Sequence, residues 1–422
     1  MIGAGAAGLM AAGEAASRGA RVRLLEKNSK TGVKILMSGG TRCNLTHDTD
    51  ARGITRQFGH ADRFLQPSVG AFPPSAVVES FERWGVATKR EDTGKIFPVS
   101  NRAVQVRDAL QRFAVQAGAE VLLRTAVRGF RHDEAARRWQ VLVQRDGKQE
   151  TLSADRLIVT AGGTSWPGCG TTGDAYQWLA EFGHTIVPPR PALVPLVGGN
   201  EATRQLSGLT LPDVNATATL PTATGKGKAA SRSRRSSLLF THFGFSGPAA
   251  MDVSGLITLA SDIRDTQFKI DFIPDLTSTD LDSSFQQAAR SRGKAMAQSW
   301  LSEWLPARLA DVLSVEAGAT EAARPIAEWT KRGRRRLIDR LKQWQLPISD
   351  TRGFGKAEVT AGGVSLAEVD RKTMASRKHD GLFIAGEVLD VDGPIGGYNF
   401  QAAFSTGRAA GIAASAPLPD PD

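Results

Sequence analysis

Cysteine and histidine are scarce in this chain, and their scarcity excludes several classes of protein. Among 422 residues there are two cysteines, Cys43 and Cys169, and six histidines. Two cysteines are too few for a disulfide-stabilised secreted scaffold, or for a zinc or iron–sulfur site that needs several cysteine ligands. The sequence also lacks an H-E-x-x-H pair, so a metalloenzyme has little support and we expect no bound metal.

Long apolar runs are also missing. No stretch of apolar residues is long enough for a membrane-spanning helix, which needs about 18 or more. The apolar start, MIGAGAAGLMAAGEAA, has no basic segment before it and includes Glu14, which is not the pattern of a signal peptide. We therefore expect a cytoplasmic protein with no membrane partner. The length suggests two or three globular domains.

The net charge of +10 is concentrated in two short segments. The first basic segment contains Lys226, Lys228, Arg232, Arg234 and Arg235. The second basic segment contains Lys331, Arg332, Arg334, Arg335, Arg336, Arg340 and Lys342. Such segments either bind a polyanion or form a solvated loop and a solvated helix face. Few aromatic side chains are interleaved with the basic ones, so nucleic acid is the less favoured interpretation.

A glycine-rich turn at the start of the chain has the spacing of a dinucleotide-binding motif. Gly3, Gly5 and Gly8 match G-x-G-x-x-G and precede an alanine-rich segment that suits a helix. The first glycine allows a tight turn, the second lets the backbone approach a pyrophosphate, and the third packs helix against strand. Glu26 ends the next apolar segment, where an acid accepts a hydrogen bond from a ribose hydroxyl. The alternative is an ordinary Gly/Ala-rich helix start followed by a chance acid.

A second G-x-G-x-x-G match, at 168–173, is a weaker candidate for a nucleotide turn. It follows Pro167, is separated from the preceding apolar segment, and has no acid about 20 residues further on. With one convincing motif, a dedicated NAD(P)H domain is not visible. FAD is the favoured dinucleotide because it performs redox chemistry without a second domain of that kind. We expect NAD(P)H only as a transient electron donor.

The end of the chain supports FAD independently. An apolar strand at 382–385 leads into Gly386 and Glu387, and an acid at that position can bind the ribityl chain of a flavin. The glycine-rich segment at 393–399 opens the last helix, which is predicted near 399–414. Small residues let that helix end approach a flat ring, and its positive end can stabilise the charge that a reduced flavin gains.

The middle of the chain has a different character. The proline-rich run at 188–199 is typical of a crossing between domains. Short strand-like stretches occupy 193–273, and within them the weakly apolar segment 220–237 is interpreted as a loop. A helical pattern follows at 283–344. Near the N-terminus, 31–47 is interpreted as a glycine-rich loop.

Taken in order, the motifs resemble the BaiN/YhiN-like FAD-dependent oxidoreductases, a family grouped with aminoacetone oxidase and bile-acid-type enone reductases. The resemblance covers nearly the whole chain. The matching stretches are GAGAAGLMAA (3–12), SGGTRCNLT (38–46) with Lys34, GKIFPVS (94–100), TAGGTSWP (160–167), GTTGDAY (170–176), PALVPL (191–196), FTHFGFSGP (240–248), VTAGGVSL (359–366) and GLFIAGEVLDVDGPIGGYNFQAA (381–403). Thr41 stands where many members have Gly, and His47 where many have Asn. These departures suggest a subgroup, so no member's substrate is carried over.

The resemblance implies an α/β fold: a Rossmann-like FAD-binding domain built from both chain ends, with an inserted β-barrel and helical subdomain. The corresponding boundaries are 1–192 and 356–422 for the FAD-binding domain, 193–275 for the barrel and 276–355 for the helical insert. The FAD contacts that it implies are Gly3, Gly5, Ala6, Ala7, Gly8, Glu26, Lys27, Lys34, Ser38, Gly39, Thr41, Arg42, Cys43, Asn44, Val127, Ala161, Gly162, Gly163, Gly386, Glu387, Asp390, Gly397, Tyr398, Asn399 and Gln401. The glycine turns and the C-terminal strand point to several of these residues independently.

The implied function is the transfer of hydride equivalents between a small organic substrate or NAD(P)H and an acceptor. An amine or aminoketone oxidase that uses oxygen, and a flavoprotein that binds or modifies RNA, are the alternatives. His242 and Tyr398 are the candidate catalytic proton donors; for His242 a structural position in the barrel wall is an equally good interpretation. Cys43 has no second cysteine near it in sequence, so a flavin-coupled disulfide is not favoured.

The first strand of the expected fold is short. Only Met1 and Ile2 precede Gly3, whereas a dinucleotide fold normally has a buried strand of about five or six residues there. Such a strand normally lies at the centre of a parallel sheet, where both neighbours depend on it for hydrogen bonds. The sequence therefore leads us to expect that the strand continues upstream of Met1 and that the 422-residue chain binds FAD poorly or aggregates.

Protein isolated with its FAD site filled is predicted to hold one FAD per chain without a covalent bond. The reason is that neither of the two implied FAD-binding ends contains an evident His or Tyr attachment motif. Acid precipitation followed by chromatography of the supernatant should recover intact FAD. FMN alone in the supernatant, or flavin retained on the precipitate, contradicts the prediction.

Overall fold

The computed structural model describes residues 1–221 and 229–417 and divides the chain into two compact units. Met1–Pro191 with Glu358–Asp422 form one, called here the terminal unit, and Ala192–Ala357 form the other, the inserted unit. A further boundary between a barrel and a helical insert stays a prediction. A bilayer-spanning helix is not found in the described residues.

The described residues form nineteen strands and fifteen α-helices, with a run of strands over 120–159 and a run of helices over 278–343. The strands are β1 (Arg23–Leu25), β2 (Thr46–His47), β3 (Thr88–Arg90), β4 (Lys95–Pro98), β5 (Glu120–Leu122), β6 (Thr125–Asp133), β7 (Arg138–Arg145), β8 (Lys148–Ala154), β9 (Leu157–Val159), β10 (Ile186–Ala192), β11 (Leu196–Gly198), β12 (Thr210–Thr219), β13 (Ser231–Thr241), β14 (Gly244–Ser246), β15 (Gln267–Asp271), β16 (Trp344–Leu346), β17 (Ile348–Thr351), β18 (Val359–Val364) and β19 (Leu382–Ile384). The α-helices are α1 (Ala6–Ala16), α2 (Val33–Thr41), α3 (Ala51–Thr55), α4 (Asp62–Ala71), α5 (Pro74–Arg83), α6 (Ala103–Gln116), α7 (Asp174–Glu181), α8 (Glu201–Arg204), α9 (Pro248–Ile257), α10 (Ser278–Ser291), α11 (Ala297–Leu301), α12 (Ala307–Ala317), α13 (Ala319–Ala322), α14 (Lys331–Gln343) and α15 (Tyr398–Ala414).

The central sheet of the terminal unit consists of two parallel strand pairs, and Ile2 joins one pair to the other. Strand β5 pairs with β1, and β19 pairs with β9, both in parallel. Ile2 bridges Leu25 of β1 on one side and Val159 of β9 on the other. The resulting order is β5–β1–Ile2–β9–β19. Strands β9 and β19 contribute Leu157, Ile158, Val159, Leu382 and Ile384 to one buried core of the terminal unit, whereas Leu24 of β1 belongs to a second core.

Two helices from opposite ends of the chain pack closely in the terminal unit. Helix α1 is rich in alanine and almost entirely buried. Helix α15 presents Gly407 and Gly411 to it, and a Cβ on either glycine would collide with the α1 backbone at Ala7 or Ala11. The missing side chains therefore allow backbone-to-backbone approach. This contact explains why both chain ends belong to one unit.

The segment predicted as a glycine-rich loop at 31–47 contains regular structure. It includes α2, which is broken by non-helical backbone at Ser38, Gly39 and Gly40, and the short strand β2. The loop prediction was wrong for these parts. The apolar residues of α2 are concentrated in one short stretch around Ile35, and Ile35 is its buried residue, so the helical signal was too short to outweigh the glycines.

The inserted unit is built around a curled seven-stranded sheet. The strand order is β16–β15–β12–β13–β14–β11–β17, and neighbouring strands pair in antiparallel orientation. Only Pro347 separates the two outermost strands, so their adjoining ends lie within roughly 7 Å and the sheet must curl. Strand β13 corrects the prediction of a loop at 220–237, because Ser231–Ser236 pair with β12; residues 222–228 of that prediction lie outside the described residues.

Gly411→Ala is predicted to lower the free energy of unfolding by about 1–3 kcal/mol, because the added Cβ overlaps the α1 backbone at Ala11. Gly70→Ala in α4 is the matched control, since a Cβ there meets no atom within 4 Å and alanine favours helix. Urea titration of both variants measures the difference. Equal stabilities for the two variants contradict the close-packing argument.

Candidate cofactor and active site

Four of the predicted FAD-contacting segments meet at one edge of the central sheet. Each begins within two residues of the end of a strand position of that sheet: Gly3–Gly8 after Ile2, Glu26 after β1, Ala161–Gly163 after β9, and Gly386–Glu387 after β19. The carboxyl ends of parallel strands lie at the same edge, which is where open α/β sheets bind ligands. Residues far apart in sequence are thereby brought together.

The three glycines of the first turn have the three roles that the motif requires. Gly3 has φ +93°, and a Cβ there would lie 2.6 Å from the carbonyl oxygen of Thr160. A Cβ on Gly8 would collide with the Gly3 carbonyl. On Gly5 it would meet no atom within 4 Å. Gly3 and Gly8 are therefore required by the protein's own packing, whereas Gly5 borders open space that a ligand can approach.

Helix α1 presents an uncapped N-terminus to that space. It begins at Ala6 with Gly5 as the N-cap residue, and no side chain caps it. The first-turn N–H groups lack helical partners and, with the helix dipole, favour an anion. The geometry suits a pyrophosphate.

Glu26 is buried against the same turn. Its carboxylate accepts hydrogen bonds from the backbone N–H of Ala4, at 2.9 Å, and of Asn28, also at 2.9 Å. Glu26 therefore helps to hold the turn, besides being placed to accept from a ribose. The side chain of the neighbouring residue, Lys27, is engaged with Thr172 and Asp174, at 2.7 and 2.8 Å.

A charged network joins four segments of the terminal unit. The ammonium group of Lys34 on α2 donates to both carboxylate oxygens of Glu387, at 2.8 and 2.6 Å, and to the hydroxyl of Ser165 at 2.6 Å. Ser165 and the backbone N–H of Thr360 donate to the same carboxylate. The Lys34–Glu387 pair is only partly exposed, so it orients both side chains more firmly than a surface pair does.

The segment between α2 and β2 has an unusual backbone. Gly39, Gly40 and Thr41 have φ values of +55°, +66° and +68° in succession. Positive φ is ordinary for glycine but strained for a β-branched residue, so Thr41 stands at a position that glycine fits better. Next to it, Arg42 forms a salt bridge with Glu91 at 2.7 Å and lies over the ring of Phe97.

Cys43 and Asn44 are both buried in this segment. Burial raises the pKa of the Cys43 thiol to about 12, so the thiol stays protonated at neutral pH and is unsuited to disulfide chemistry. The Oδ1 atom of Asn44 is buried and has no hydrogen-bond partner within the described part of the chain. Such an atom normally has a partner, and a bound ligand can supply it.

The N-terminus of α15 forms another wall of the site. Gly397, with φ +91°, is the N-cap, and no side chain caps the helix. Asn399 holds the preceding loop by hydrogen bonds with the backbone of Gly393 and Pro394. Tyr398 is buried and stacks on the ring of His47, with centroids 4.9 Å apart. The imidazole of His47 also contacts the carbonyl of Gly396 at 3.1 Å.

Three further predicted contacts have partners within the protein. The amide of Gln401 is hydrogen-bonded to Thr46, Phe72 and Ser405, so its side-chain amide groups are all engaged. Asp390 accepts from the backbone N–H of Gly362 at 3.1 Å and pairs with His60 at 3.2 Å. Val127 is buried in the core of the terminal unit, within β6. Contact with FAD stays a prediction for each of these three residues.

His242 lies in the inserted unit. It occupies the turn between β13 and β14, is exposed, and has its ring against that of Phe243, with centroids 5.1 Å apart. Its role as a proton donor stays a prediction.

The two basic segments are less free than their sequence suggests. Arg234 pairs with Asp252, and Arg235 with Asp213 and Asp275; Lys226 and Lys228 lie outside the described residues. On α14, salt bridges link Arg334 to Asp282, Arg336 to Glu321 and Lys342 to Asp271. Lys331, Arg332 and Arg335 are exposed and form no salt bridge within the described ranges. The interpretation of a wholly solvated helix face is therefore corrected for the three paired residues.

Sequence reasoning missed Ser165, Thr360, His47 and His60. Ser165 and Thr360 each lie within a conspicuous stretch, TAGGTSWP and VTAGGVSL, but nothing in either stretch indicates that both contact Glu387. His60 lies in a short helical segment without any motif. Only the folded chain brings these residues to the site.

These observations fit FAD. The space beside Gly5, the uncapped N-termini of α1 and α15, and the orphaned Oδ1 of Asn44 are features that a dinucleotide with a flavin ring would use. Residues 1–221 and 229–417 contain no group of three or more His, Cys, Asp or Glu side chains suited to holding a metal ion.

Comparison with known proteins gives matches along the whole chain. A sequence profile described as "HI0933-like protein Rossmann domain" matches residues 1–413. Ribosomal RNA dihydrouridine synthase of Haemophilus influenzae is 32% identical over 419 residues, covering 98% of each chain. The 3-dehydro-bile acid delta(4,6)-reductase of Clostridium scindens is 31% identical over 425 residues, again covering 98% of each.

A solved structure shares the fold. The open conformation of a flavocytochrome c3 fumarate reductase has a TM-score of 0.51 at 16% identity, covering 98% of this chain and 77% of that one. At this identity the likeness concerns the fold alone. Together with the profile match, it confirms the predicted α/β class with a Rossmann-type FAD-binding domain.

Glu26→Ala is predicted to raise the FAD dissociation constant by roughly 10- to 100-fold, because one charge-assisted hydrogen bond contributes about 1.5–3 kcal/mol. Fluorescence titration of apoprotein with FAD measures the change. Glu120→Ala is the matched control: Glu120 lies in the adjacent strand β5 but pairs on the surface with Arg23. An unchanged constant in Glu26→Ala means that this carboxylate serves the turn alone.

Proposed function

The chain belongs to the HI0933-like protein family and is an FAD-dependent oxidoreductase, and from that membership we propose that it reduces carbon–carbon double bonds conjugated to a carbonyl group. Hydride is added to the carbon β to the carbonyl, and a proton to the α carbon. The names of two relatives support this reaction. Dihydrouridine is uridine reduced at the C5=C6 bond, which is conjugated to the C4 carbonyl, and the bile-acid reductase acts on double bonds conjugated to a C3 ketone.

The conjugated double bond is the observation that carries the proposal. A ribosomal uridine and a bile acid differ in size, charge and solubility, yet each presents a C=C bond that a neighbouring carbonyl polarises. Proteins about equally similar to this chain act on both. The two substrates share only the conjugated C=C bond. We therefore propose a specific reaction, reduction of that bond, and only a broad class of substrate.

The residues that would hold FAD lie along the edge of the central sheet. The open space beside Gly5 and the N-terminus of α1 suit the pyrophosphate, and Glu26 suits the adenosine ribose. Glu387, oriented by Lys34, suits the ribityl chain. When bound, FAD supplies two-electron hydride chemistry.

The N-terminus of α15 is proposed to stabilise negative charge at the flavin ring. Gly397 is the N-cap residue, and a Cβ there would collide with the backbone of Thr46, so glycine lets the uncapped helix start pack against β2. Free N–H groups and the helix dipole are already oriented there, so they need no rearrangement during the reaction.

Tyr398 is the proposed proton donor. It is the first residue of α15, is buried, and is held against His47 by ring stacking. A phenol fixed in one orientation can deliver a proton to the α carbon while the β carbon receives hydride. His242 is the second candidate for this step, from the exposed turn of the inserted unit.

Uridine in RNA is a second candidate substrate, favoured by the exposed face of α14. Arg335 follows Lys331 by four residues and Arg332 by three, so both lie beside it on the helix surface, and the three side chains make no salt bridge in the described residues. Such a face suits contact with phosphates. A small conjugated ketone is the first candidate, because it needs no such surface.

Anaerobic stopped-flow spectroscopy tests the reaction. Protein whose flavin has been reduced with dithionite should be reoxidised by a conjugated enone, and not by the saturated ketone of the same skeleton. Tyr398→Phe, which keeps the ring that stacks on His47, should slow this reoxidation by roughly 10²- to 10⁴-fold, the usual contribution of a general acid. A uridine-containing RNA should act as oxidant only if RNA is the substrate.

The oxidase alternative gives the opposite result. An amine or aminoketone oxidase would have its oxidised flavin bleached by an amine and would form peroxide in air. That outcome, combined with no reoxidation by any enone or RNA, contradicts the proposed reductase.

A further inference from the structure

A basic cleft lies in the terminal unit beside the candidate site. Its volume is about 300 Å³, and four of its lining residues are His60, Arg63, Arg371 and Arg377. Phe64 and Val369, which are buried, form its apolar floor. A cleft of this size is at the lower end of the range for small-molecule sites, which suits a single nucleotide.

The positive charge of the cleft is largely uncompensated. The side chains of Arg63 and Arg371 are exposed and form no salt bridge or hydrogen bond in the part of the chain that the structure describes. Arg377 reaches Asp370 only at 3.4 Å. The other carboxylate oxygen of Asp370 already accepts hydrogen bonds from the Lys372 and Thr373 segment. Two guanidinium groups, and in part a third, are therefore available to an anion.

His60 connects the cleft to the candidate cofactor site. Its Nε2 lies 3.2 Å from a carboxylate oxygen of Asp390, whose other oxygen accepts from the backbone of Gly362. The hydrogen bond to Asp390 raises the pKa of His60. Asp390 follows Glu387 by three residues in the loop after β19. A ligand that contacts His60 in the cleft is therefore linked to Asp390, a predicted FAD contact, through the His60–Asp390 pair.

We propose that this basic cleft binds the phosphorylated adenosine end of NADPH, the electron donor of the reaction proposed above. Two observations support this: the cleft is cationic and its floor is apolar. In addition, the proposed function assigns the one convincing dinucleotide turn of the chain to FAD, so NADPH needs another site. A 2′-phosphate carries close to two negative charges at neutral pH and accepts from guanidinium groups in pairs. The adenine ring covers the apolar floor.

The overall reaction balances with this donor. The dihydronicotinamide gives up a hydride and becomes NADP⁺, and solvent supplies one proton. Hydride and proton together equal the two hydrogens gained by the conjugated double bond. The cleft is too small for a whole dinucleotide, so it holds the adenosine end and leaves the nicotinamide outside.

Calorimetric titration of the FAD-loaded protein with adenosine 2′,5′-bisphosphate tests the site without turnover. Arg63→Glu and Arg371→Glu should each weaken binding by about tenfold or more. Arg131→Glu is the matched control, because Arg131 is exposed on β6 and makes the same charge change away from the cleft. Adenosine 5′-monophosphate, which lacks the 2′-phosphate, should bind at least about tenfold more weakly than the bisphosphate.

Several outcomes overturn the inference. Equal affinity for the two adenosine phosphates does so, as does equal weakening in all three variants. Competition by inorganic phosphate or by an RNA oligomer at the affinity of the bisphosphate also does so, since it shows a general anion site. Thermal unfolding of each variant checks that surface substitutions left the fold intact.

The inference rests on the proposed function, but the two fail separately. If the bisphosphate binds through Arg63 and Arg371 while no enone or RNA reoxidises the reduced flavin, the cleft assignment stands and the proposed reaction falls. If an enone reoxidises the flavin while the bisphosphate does not bind, the reaction stands and the cleft assignment falls.

Discussion

Four backbone hydrogen bonds at the start of the chain hold the two halves of the central sheet together. Leu25 donates to Met1 and accepts from Gly3, while Ile2 donates to Ile158 and accepts from Thr160. Without these bonds β1 and β9 have no common neighbour in the described sheet. Every segment predicted to contact the ribose, pyrophosphate or ribityl chain follows a strand that this pairing aligns. The candidate site therefore depends on the residues immediately before Gly3.

Close helix packing then fixes the opposite end of the chain to the same place. Gly407 and Gly411 let α15 approach the backbone of α1, and this approach places the uncapped start of α15 in the terminal unit that also contains the start of α1. Two uncapped helix N-termini can each donate N–H groups to a different part of one elongated ligand, which a single helix end cannot do. The glycines of α15 thus act on the site through geometry, without contacting a ligand themselves.

Some charged side chains of this protein form salt bridges that hold elements together, whereas others are exposed without a partner in the described residues. The first group stabilises the fold, and the second group can bind a ligand. The ion pair of Lys34 with Glu387 and the salt bridges of Arg334 and Arg336 stabilise contacts between elements. Arg63 and Arg371 in the basic cleft, and Lys331, Arg332 and Arg335 on α14, have no such partner in the described residues. Composition alone counts all of these residues equally. Only the folded chain shows which positive charges are available to a phosphate.

The sequence by itself determined the fold class, the glycine turn and the acid at Glu26, because each is a local pattern whose backbone requirement few residues meet. The Gly3, Gly5 and Gly8 spacing predicted three distinct roles, and the environment of each glycine agrees with them. What lay beyond local pattern was decided by tertiary structure. Lys34 and Glu387 are 353 residues apart, Thr41 adopts a backbone that its own side chain disfavours, and His60 reaches Asp390 across the terminal unit. Such contacts depend on which strands are neighbours, and sequence spacing carries no record of distance in space.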